Sequence, residues 1–318
     1  MTENDPLIIE RPVLALVGPT AIGKTSLSLE LSTRFTCEII SVDSMQVYRY
    51  MDIGTAKASR EERQRIPHHL IDIVEPDDAY NSARFVVDSM RAIEMIHSRG
   101  AVPLLTGGTG LYLAALKNGL FEAPPTDPSI RDDLRMKLAE EGSGPLHEQL
   151  RLHDPQSAAR IHPNDSSRIV RALELYLATG TRLSDFLKNQ ASRPSPQVFK
   201  NFHTIGLNCE RSVLYTRINE RSELLFEWGL EDEVRALLDK GFSPQLPSMQ
   251  SIGYRHMINY IEGRWDYAQC VELLARDTRH YAKRQFTWFN RDDSIEWFDR
   301  GAVDPVFESV DRFLKGAR

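Results

Sequence analysis

The chain has 318 residues, 41% of them hydrophobic, and 39 basic against 45 acidic side chains leave a net charge of −6. That length suggests about two domains and is enough to bury a full core, while the acidic balance excludes a globally basic nucleic-acid binder, so any polyanion must be held by local patches. No apolar run approaches the ~20 residues of a membrane helix, the start MTENDP is unlike a signal peptide, and Cys37, Cys209 and Cys270 lack the spacing of a disulfide framework or a zinc site. A cytoplasmic, monomeric protein with buried thiols is expected.

PVLALVG reads as a short apolar strand, and KTSLSLELSTRF has Leu27, Leu31 and Phe35 at helical spacing. CEIISVD and HHLIDIV read as further strands. SARFVVDSMRAIEMIHSRG reads as a helix stopped by Gly100, AVPLLTGG as a strand, and TGLYLAALKNG as a helix with Thr109 as its N-cap. Strands alternating with helices predict a parallel sheet covered on both faces. The alternation ends at Pro124 and Pro125. From Asp127 to about Gln190 the periodicity is helical throughout, with Asp127, Asp154 and Asp165 as caps and Gly180 as a stop. After ASRPSPQ, FHTIGLNC reads as a strand again, followed by helices from Arg211 to Gly241 and from about Tyr267 to Phe289. The expected fold is α/β, a P-loop NTPase-like parallel sheet with an all-helical insertion. Its parts are a first core segment (1–122), the helical insertion (123–200) and a second core segment with C-terminal helices (201–318).

Between the first strand and helix lies VGPTAIGKTS, which matches G-x-x-x-x-G-K-[ST]. Gly18 and Gly23 allow the backbone to bend its N–H groups toward a phosphate, Lys24 adds a point charge, and Thr25 offers a hydroxyl to magnesium. Hydrolytic relatives of this loop carry an acidic residue at the end of a second strand. The corresponding strand here ends in Thr106-Gly107-Gly108, which argues against hydrolysis. Asp43 instead ends the earlier strand EIISVD, where open parallel sheets bind ligands. It is free to act on a second substrate; on spacing alone, a cap or a magnesium-organising group is an equal reading. His68 and His69, adjacent on a strand, point to opposite faces and are read as structural.

GPTAIGKT, ISVDSMQVYRYMDIGTAK, PHHLIDIV, LLTGGTGLY, IHPNDSSRIVRALE, SIGYR and YAKRQFTWF occur together in that order, and the set resembles the bacterial tRNA dimethylallyltransferases from Val13 to about Trp297. The resemblance implies transfer of a dimethylallyl group from its diphosphate to the N6 amine of the adenosine just 3′ of the anticodon, releasing pyrophosphate, with magnesium as cofactor. It implies a diphosphate loop of Gly18, Pro19, Thr20, Ala21, Ile22, Gly23, Lys24 and Thr25, with Arg217 as a further cation and Asp43 as the base. For the tRNA anticodon stem-loop it implies contacts from Asp43, Ser44, Met45 and Gln46, with Gln46 reading base edges, and from Thr109 and Arg131. Ser167, Arg168, Ile169, Val170 and Arg171 would join them, as would Gln250, Ser251, Ile252, Gly253, Tyr254 and Arg255. A basic stripe of Arg276, Arg279, Lys283 and Arg284 recurs at spacings of three and four on the late helix; its neighbours Tyr281, Phe286 and Trp288 could equally be core. The family usually has Gly where this chain has Tyr50, which leaves open whether the backbone turns left-handed there. Nothing after Phe298 supplies Cys or His for the zinc finger common in eukaryotic relatives, which points to the bacterial form. The rivals are an adenylate isopentenyltransferase acting on free AMP or ADP, a small-molecule kinase, and an RNA-binding protein whose loop switches on nucleotide.

Overall fold

The computed structural model describes residues 6–119, 126–191 and 195–317. Pro124, Pro125, the boundary expected at 122/123 and residues 192–194 of ASRPSPQ lie outside these. Chain contacts define two compact units, one from Gly119 to Pro196 together with Pro6, the other built from Leu7–Asn118 and Gln197–Arg318. Among the described residues no helix is long and apolar enough to cross a membrane.

The larger unit begins with β1 (Leu7–Ile9) and β2 (Val13–Val17), and the phosphate-loop sequence then leads into α1 (Lys24–Phe35). Next come β3 (Cys37–Val42), α2 (Arg60–Arg65), the two-residue β4 (His68–His69), α3 (Ser82–Ser98), β5 (Val102–Gly107) and α4 (Gly110–Asn118). β2 and β3 are buried along their whole lengths, as expected of parallel strands with helices on both faces. Asn81 caps α3 by accepting from the Ala83 and Arg84 N–H groups.

The smaller unit supplies α5 (Pro128–Glu141), α6 (Ser143–His153), α7 (Pro155–Arg160), α8 (Ser166–Thr179) and α9 (Leu183–Ala191), and its described residues contain no strand. The expected caps are in place. Asp127, Asp154 and Asp165 accept from the N–H groups of Ser129, Ser157 and Arg168, and Gly180 closes α8 at φ 70°. Leu134, Leu146, Leu150, Ile169 and Leu173 form its core. At its edge Glu174, 2% exposed, accepts hydrogen bonds from the Thr126 hydroxyl and from Arg131 and Arg171. These donors hold its carboxyl below the usual range against the opposing effect of burial.

The chain returns to the larger unit with β6 (Gln197–Phe199), β7 (Phe202–Asn208), α10 (Arg211–Glu227), α11 (Leu230–Asp239), α12 (Tyr254–Ile261), α13 (Tyr267–Phe289), β8 (Ile295–Asp299) and α14 (Val303–Gly316). The main sheet has the order β4-β3-β5-β2-β7-β8 with every pairing parallel, and β1 pairs with β6 apart from it. β2 is therefore central. Val17 of β2 and Val42 of β3 both pair with Gly107 of β5, so three strand ends open at one level. A Cβ on Gly107 would lie 2.1 Å from the Val42 carbonyl oxygen, so only glycine allows this approach.

After β3 the chain runs through Tyr50, whose φ of 65° is left-handed. The turn that glycine usually serves is retained here by tyrosine, its ring 6.4 Å from that of Phe242 with the Lys240 Nζ 4.9 Å away. The next residues are anchored by Glu233 of α11, whose carboxylate accepts from the Asp52, Ile53 and Gly54 N–H groups and from the Tyr254 hydroxyl. Tyr50→Gly and Tyr50→Ala both lose the ring contacts, but only alanine keeps the left-handed strain. Denaturant melts are expected to place Tyr50→Gly above Tyr50→Ala by about 1 kcal/mol, the reverse of their order on an ordinary strand.

Candidate active site

The phosphate loop wraps the end of β2 with Gly18, Ala21 and Gly23 all at positive φ. A Cβ on Gly18 would meet the Leu207 carbonyl oxygen of β7 at 3.0 Å. The loop's carbonyls face its own cations. Lys24 Nζ donates to Gly18 O (3.0 Å) and Pro19 O (2.8 Å), and Arg217 Nε of α10 donates to Ala21 O at 2.8 Å. Gln285 of α13 clamps the loop from the other side, accepting from the Thr20 N–H (2.9 Å) and donating to Gly108 O (3.0 Å). Ile22 is buried, so only its backbone is available to a ligand.

The loop opens onto a cavity of about 400 Å³ lined by Thr20, Ala21, Gly23, Lys24, Thr25, Asp43, Gln46, Thr106, Arg217, Arg221, Tyr281 and Gln285, among others. Asp43 follows β3, and its Oδ1 accepts from the Met45 and Gln46 N–H groups at 2.8 and 3.3 Å. Both bonds fall on one oxygen. The carboxylate thus faces the cavity as an oriented acceptor, in the company of Lys24 and Arg221. Among the described residues none of Lys24, Arg217 and Arg221 has an acidic partner within 4 Å, whereas Arg49, Arg131 and Lys57 all do. Burial pulls the Lys24 ammonium down to about 8, Asp43 opposes that shift, and Arg221 adds to it. Burial likewise lowers Arg221, with Asp43 acting against it. Such a concentration of half-buried positive charge at strand ends is suited to a compact polyanion.

A second, more apolar cavity of about 260 Å³ adjoins the first; Thr20, Asp43, Thr55, Arg221 and Tyr281 line both, and Met45, Ile218, Leu225, Ile252 and Leu274 give it its apolar wall. Asp43 stands where the cationic and apolar chambers meet.

Several expectations are corrected. The Gln46 amide is already engaged: its Oε1 accepts from Ser41 (2.9 Å), and its Nε2 donates to Thr55 O (3.2 Å). It fixes the loop after Asp43 and is not available for base edges. The Tyr254 side chain is completely buried and donates to Glu233, and Ile169 and Val170 are core residues of the helical unit, so none of these three side chains can reach an RNA. Thr109 does not cap α4 with its side chain; its hydroxyl accepts from the Ser44 N–H at 3.2 Å, joining the two loops beside Asp43.

The remaining residues are dispersed. Ser44, Met45, Ser251, Ile252 and Gly253 line the apolar chamber. Arg255 and Arg276 share Asp277, and Gln250 is exposed with its amide on Pro244 O. On α13 Lys283 and Arg284 are exposed, Arg279 donates to Asn219, Phe286 packs on the core, and Trp288 covers Gly110. In the helical unit Arg131 and Arg171 divide between solvent and Glu174, Ser167 and Arg168 are exposed, and Arg168 pairs with Asp165.

Sequence reasoning missed Arg221, Gln285, Tyr281 and His68 as cavity residues. Arg221 was within reach, since it lies four residues, one helical turn, after Arg217 and so on the same face of α10. His68 Nδ1 contacts Ile66 O while His69 pairs with Glu38, and among the described residues no three His, Cys, Asp or Glu side chains gather in a way that could hold a metal ion.

The sequence pattern of the IPP transferase family matches residues 46–292. A tRNA dimethylallyltransferase of Desulfotalea psychrophila is 52% identical over 96% of this chain and 97% of its own length. One from Thermotoga petrophila is 47% identical over 90% and 92%. The crystal structure of the full-length tRNA isopentenylpyrophosphate transferase of Bacillus halodurans matches 96% of this chain and 98% of its own at 39% identity with a TM-score of 0.71. A eukaryotic dimethylallyltransferase caught acting on tRNA matches 91% and 74% at 31% identity, with a TM-score of 0.72. With the family pattern and these relatives in agreement, the chain belongs to the IPP transferase family of prenyl-transferring enzymes.

Proposed function

We propose that this enzyme transfers the dimethylallyl group of dimethylallyl diphosphate to the N6 amine of the adenosine adjacent to the anticodon on its 3′ side in tRNA, acting in the cytoplasm. The observation that carries the reading is the placement of Asp43 between a chamber of unpaired cations and an apolar one. The diphosphate lies on the loop amides, Lys24, Arg217 and Arg221; the prenyl group extends toward Asp43. As the allylic C–O bond breaks, negative charge grows on pyrophosphate, and the cations stabilise it more in the transition state than in the ground state. The amine nitrogen forms the new C–N bond, and Asp43 takes its proton. The hard oxygen donors near the loop, the Thr25 hydroxyl and the Asp43 carboxylate, would suit magnesium. Thr25 would hold magnesium, which would further neutralise the charge of the leaving group.

No rival is favoured by these features. The lack of an acid at the end of β5 disfavours an ATP hydrolase or kinase, and the relatives named above are all enzymes of tRNA. Candidate contacts for the anticodon stem-loop are the exposed Lys283 and Arg284 on α13 and, taken separately on the helical unit, the exposed Arg168 and the half-buried Arg131 and Arg171. Incubation with labelled dimethylallyl diphosphate and unmodified tRNA is expected to label the tRNA, with AMP unlabelled and ATP not turned over. Labelling of AMP in preference to tRNA would overturn the assignment.

In single-turnover transfer at saturating substrates, Asp43→Asn is expected to lose roughly 10²–10⁴ in rate while binding both substrates normally; Lys24→Ala loses donor affinity as well as rate. A fast Asp43→Asn would remove the base from the mechanism.

The lowered Lys24 value sets a pH dependence. Lys24 is charged below about 8 and neutral above it, so its attraction for a diphosphate is complete on the acid side and lost as pH rises through 8. Pyrophosphate titrations from pH 6.5 to 9.5 are expected to weaken by up to about tenfold per unit above pH 8 relative to Lys24→Arg, whose guanidinium stays charged.

Salt weakens tRNA binding because phosphate contacts release counterions, and the double variant Lys283→Gln, Arg284→Gln is expected to flatten the slope of log affinity against log salt by about 1–2. An unchanged slope would remove α13 from the interface.

A further inference from the structure

The end of β5 holds a side chain that the mechanism leaves without a role. Thr106, just before Gly107, lines the cationic cavity together with Lys24, Thr25 and Asp43. Its Oγ1 is shielded from solvent and has no hydrogen-bond partner. Among the described residues a few other side chains share that condition, but none of them lines this cavity. A shielded hydroxyl without a partner is unfavourable for the folded protein, which makes a bound group its natural partner.

The register fixes where the hydroxyl stands. Thr106 is paired with Leu16 of β2 and Ser41 of β3, and strand alternation puts it on the same face as Leu104. Leu104, Leu16 and Ile39 pack with Leu27 and Leu31 of α1 in one core cluster. Thr106 therefore belongs to the sheet face covered by α1, at the strand end that meets the cavity where Lys24 and Thr25 begin that helix. Hydrolytic phosphate-loop enzymes place an acid on this strand to organise magnesium and water. A carboxylate here would add negative charge beside a leaving diphosphate. A hydroxyl offers a hydrogen-bonding oxygen without that charge.

We propose that Thr106 is a positioning residue for the magnesium–diphosphate complex, its Oγ1 accepting a hydrogen bond from a water on the metal that Thr25 holds. This rests on the diphosphate reading above. The test is calorimetric titration of pyrophosphate into wild type, Thr106→Val and Thr106→Ser, with magnesium and again in EDTA, alongside melting of each protein without ligand. Thr106→Val is expected to bind magnesium pyrophosphate about 10-fold more weakly, in line with other groups that orient metal ligands, with less than about a 2-fold change in EDTA. Thr106→Ser should recover most of the loss, and the valine variant should melt no lower than wild type, because a methyl replaces an unpaired hydroxyl. Wild-type affinity of Thr106→Val for magnesium pyrophosphate, an equal loss with and without metal, or a loss that serine does not recover would each overturn the proposal. Failure of the diphosphate reading itself has a different signature: wild type would not bind pyrophosphate, or Lys24→Ala would bind it equally well, and the role of Thr106 would fall with it.

Discussion

Positive charge gathered at the end of a parallel sheet is the constraint on which the rest of this molecule depends. Lys24, Arg217 and Arg221 converge on one cavity that Asp43 also lines, and burial works against two of these cations. Such groups persist only where other polar atoms receive them. The loop supplies these atoms as the Gly18 and Pro19 carbonyl oxygens for Lys24 and the Thr20 hydroxyl for Arg221, while the Ala21 carbonyl receives Arg217. The bent backbone that turns amides toward a ligand thus also turns carbonyls toward the cations, and positive φ at Gly18, Ala21 and Gly23 makes both orientations possible.

Asp43 is held by a series of supports that extends far from the chemistry. Its carboxylate is fixed by the N–H groups of Met45 and Gln46, the Gln46 amide by Ser41 and Thr55, and the Thr55 segment by the carboxylate of Glu233 through Gly54. Glu233 also receives the Tyr254 hydroxyl, and a Cβ on Gly54 would lie 2.4 Å from the Tyr254 ring. The motif SIGYR therefore acts through packing in its tyrosine, even though its Ser251, Ile252 and Gly253 border the apolar chamber.

The parts of this arrangement that are local in sequence were legible. A glycine-punctuated loop between a strand and a helix, an acid at a strand end, aspartate caps and a glycine stop each follow from backbone needs within a few residues. What depends on distant partners was not. Gln46 looked like a reader of bases until Ser41 and Thr55 consumed its amide, and Thr109 looked like a cap until Ser44 took its hydroxyl. Ile169 and Val170 sit in one motif with the exposed Ser167 and Arg168, and Tyr254 beside the half-buried Arg255, so motif membership alone could not separate core from surface. Short strands such as β1 and β6 leave too few residues for any periodicity. Tyr50 is the reverse case. The left-handed turn is present, and the tyrosine gave no signal of it.

Gln285 has one further consequence. Its side-chain oxygen holds the Thr20 N–H of the phosphate loop, and its side-chain nitrogen holds Gly108. A phosphate oxygen that takes the Thr20 N–H must displace that side chain, and the side chain belongs to α13, the helix that exposes Lys283 and Arg284. Gln285 thus joins the phosphate loop to the helix on whose surface Lys283 and Arg284 stand.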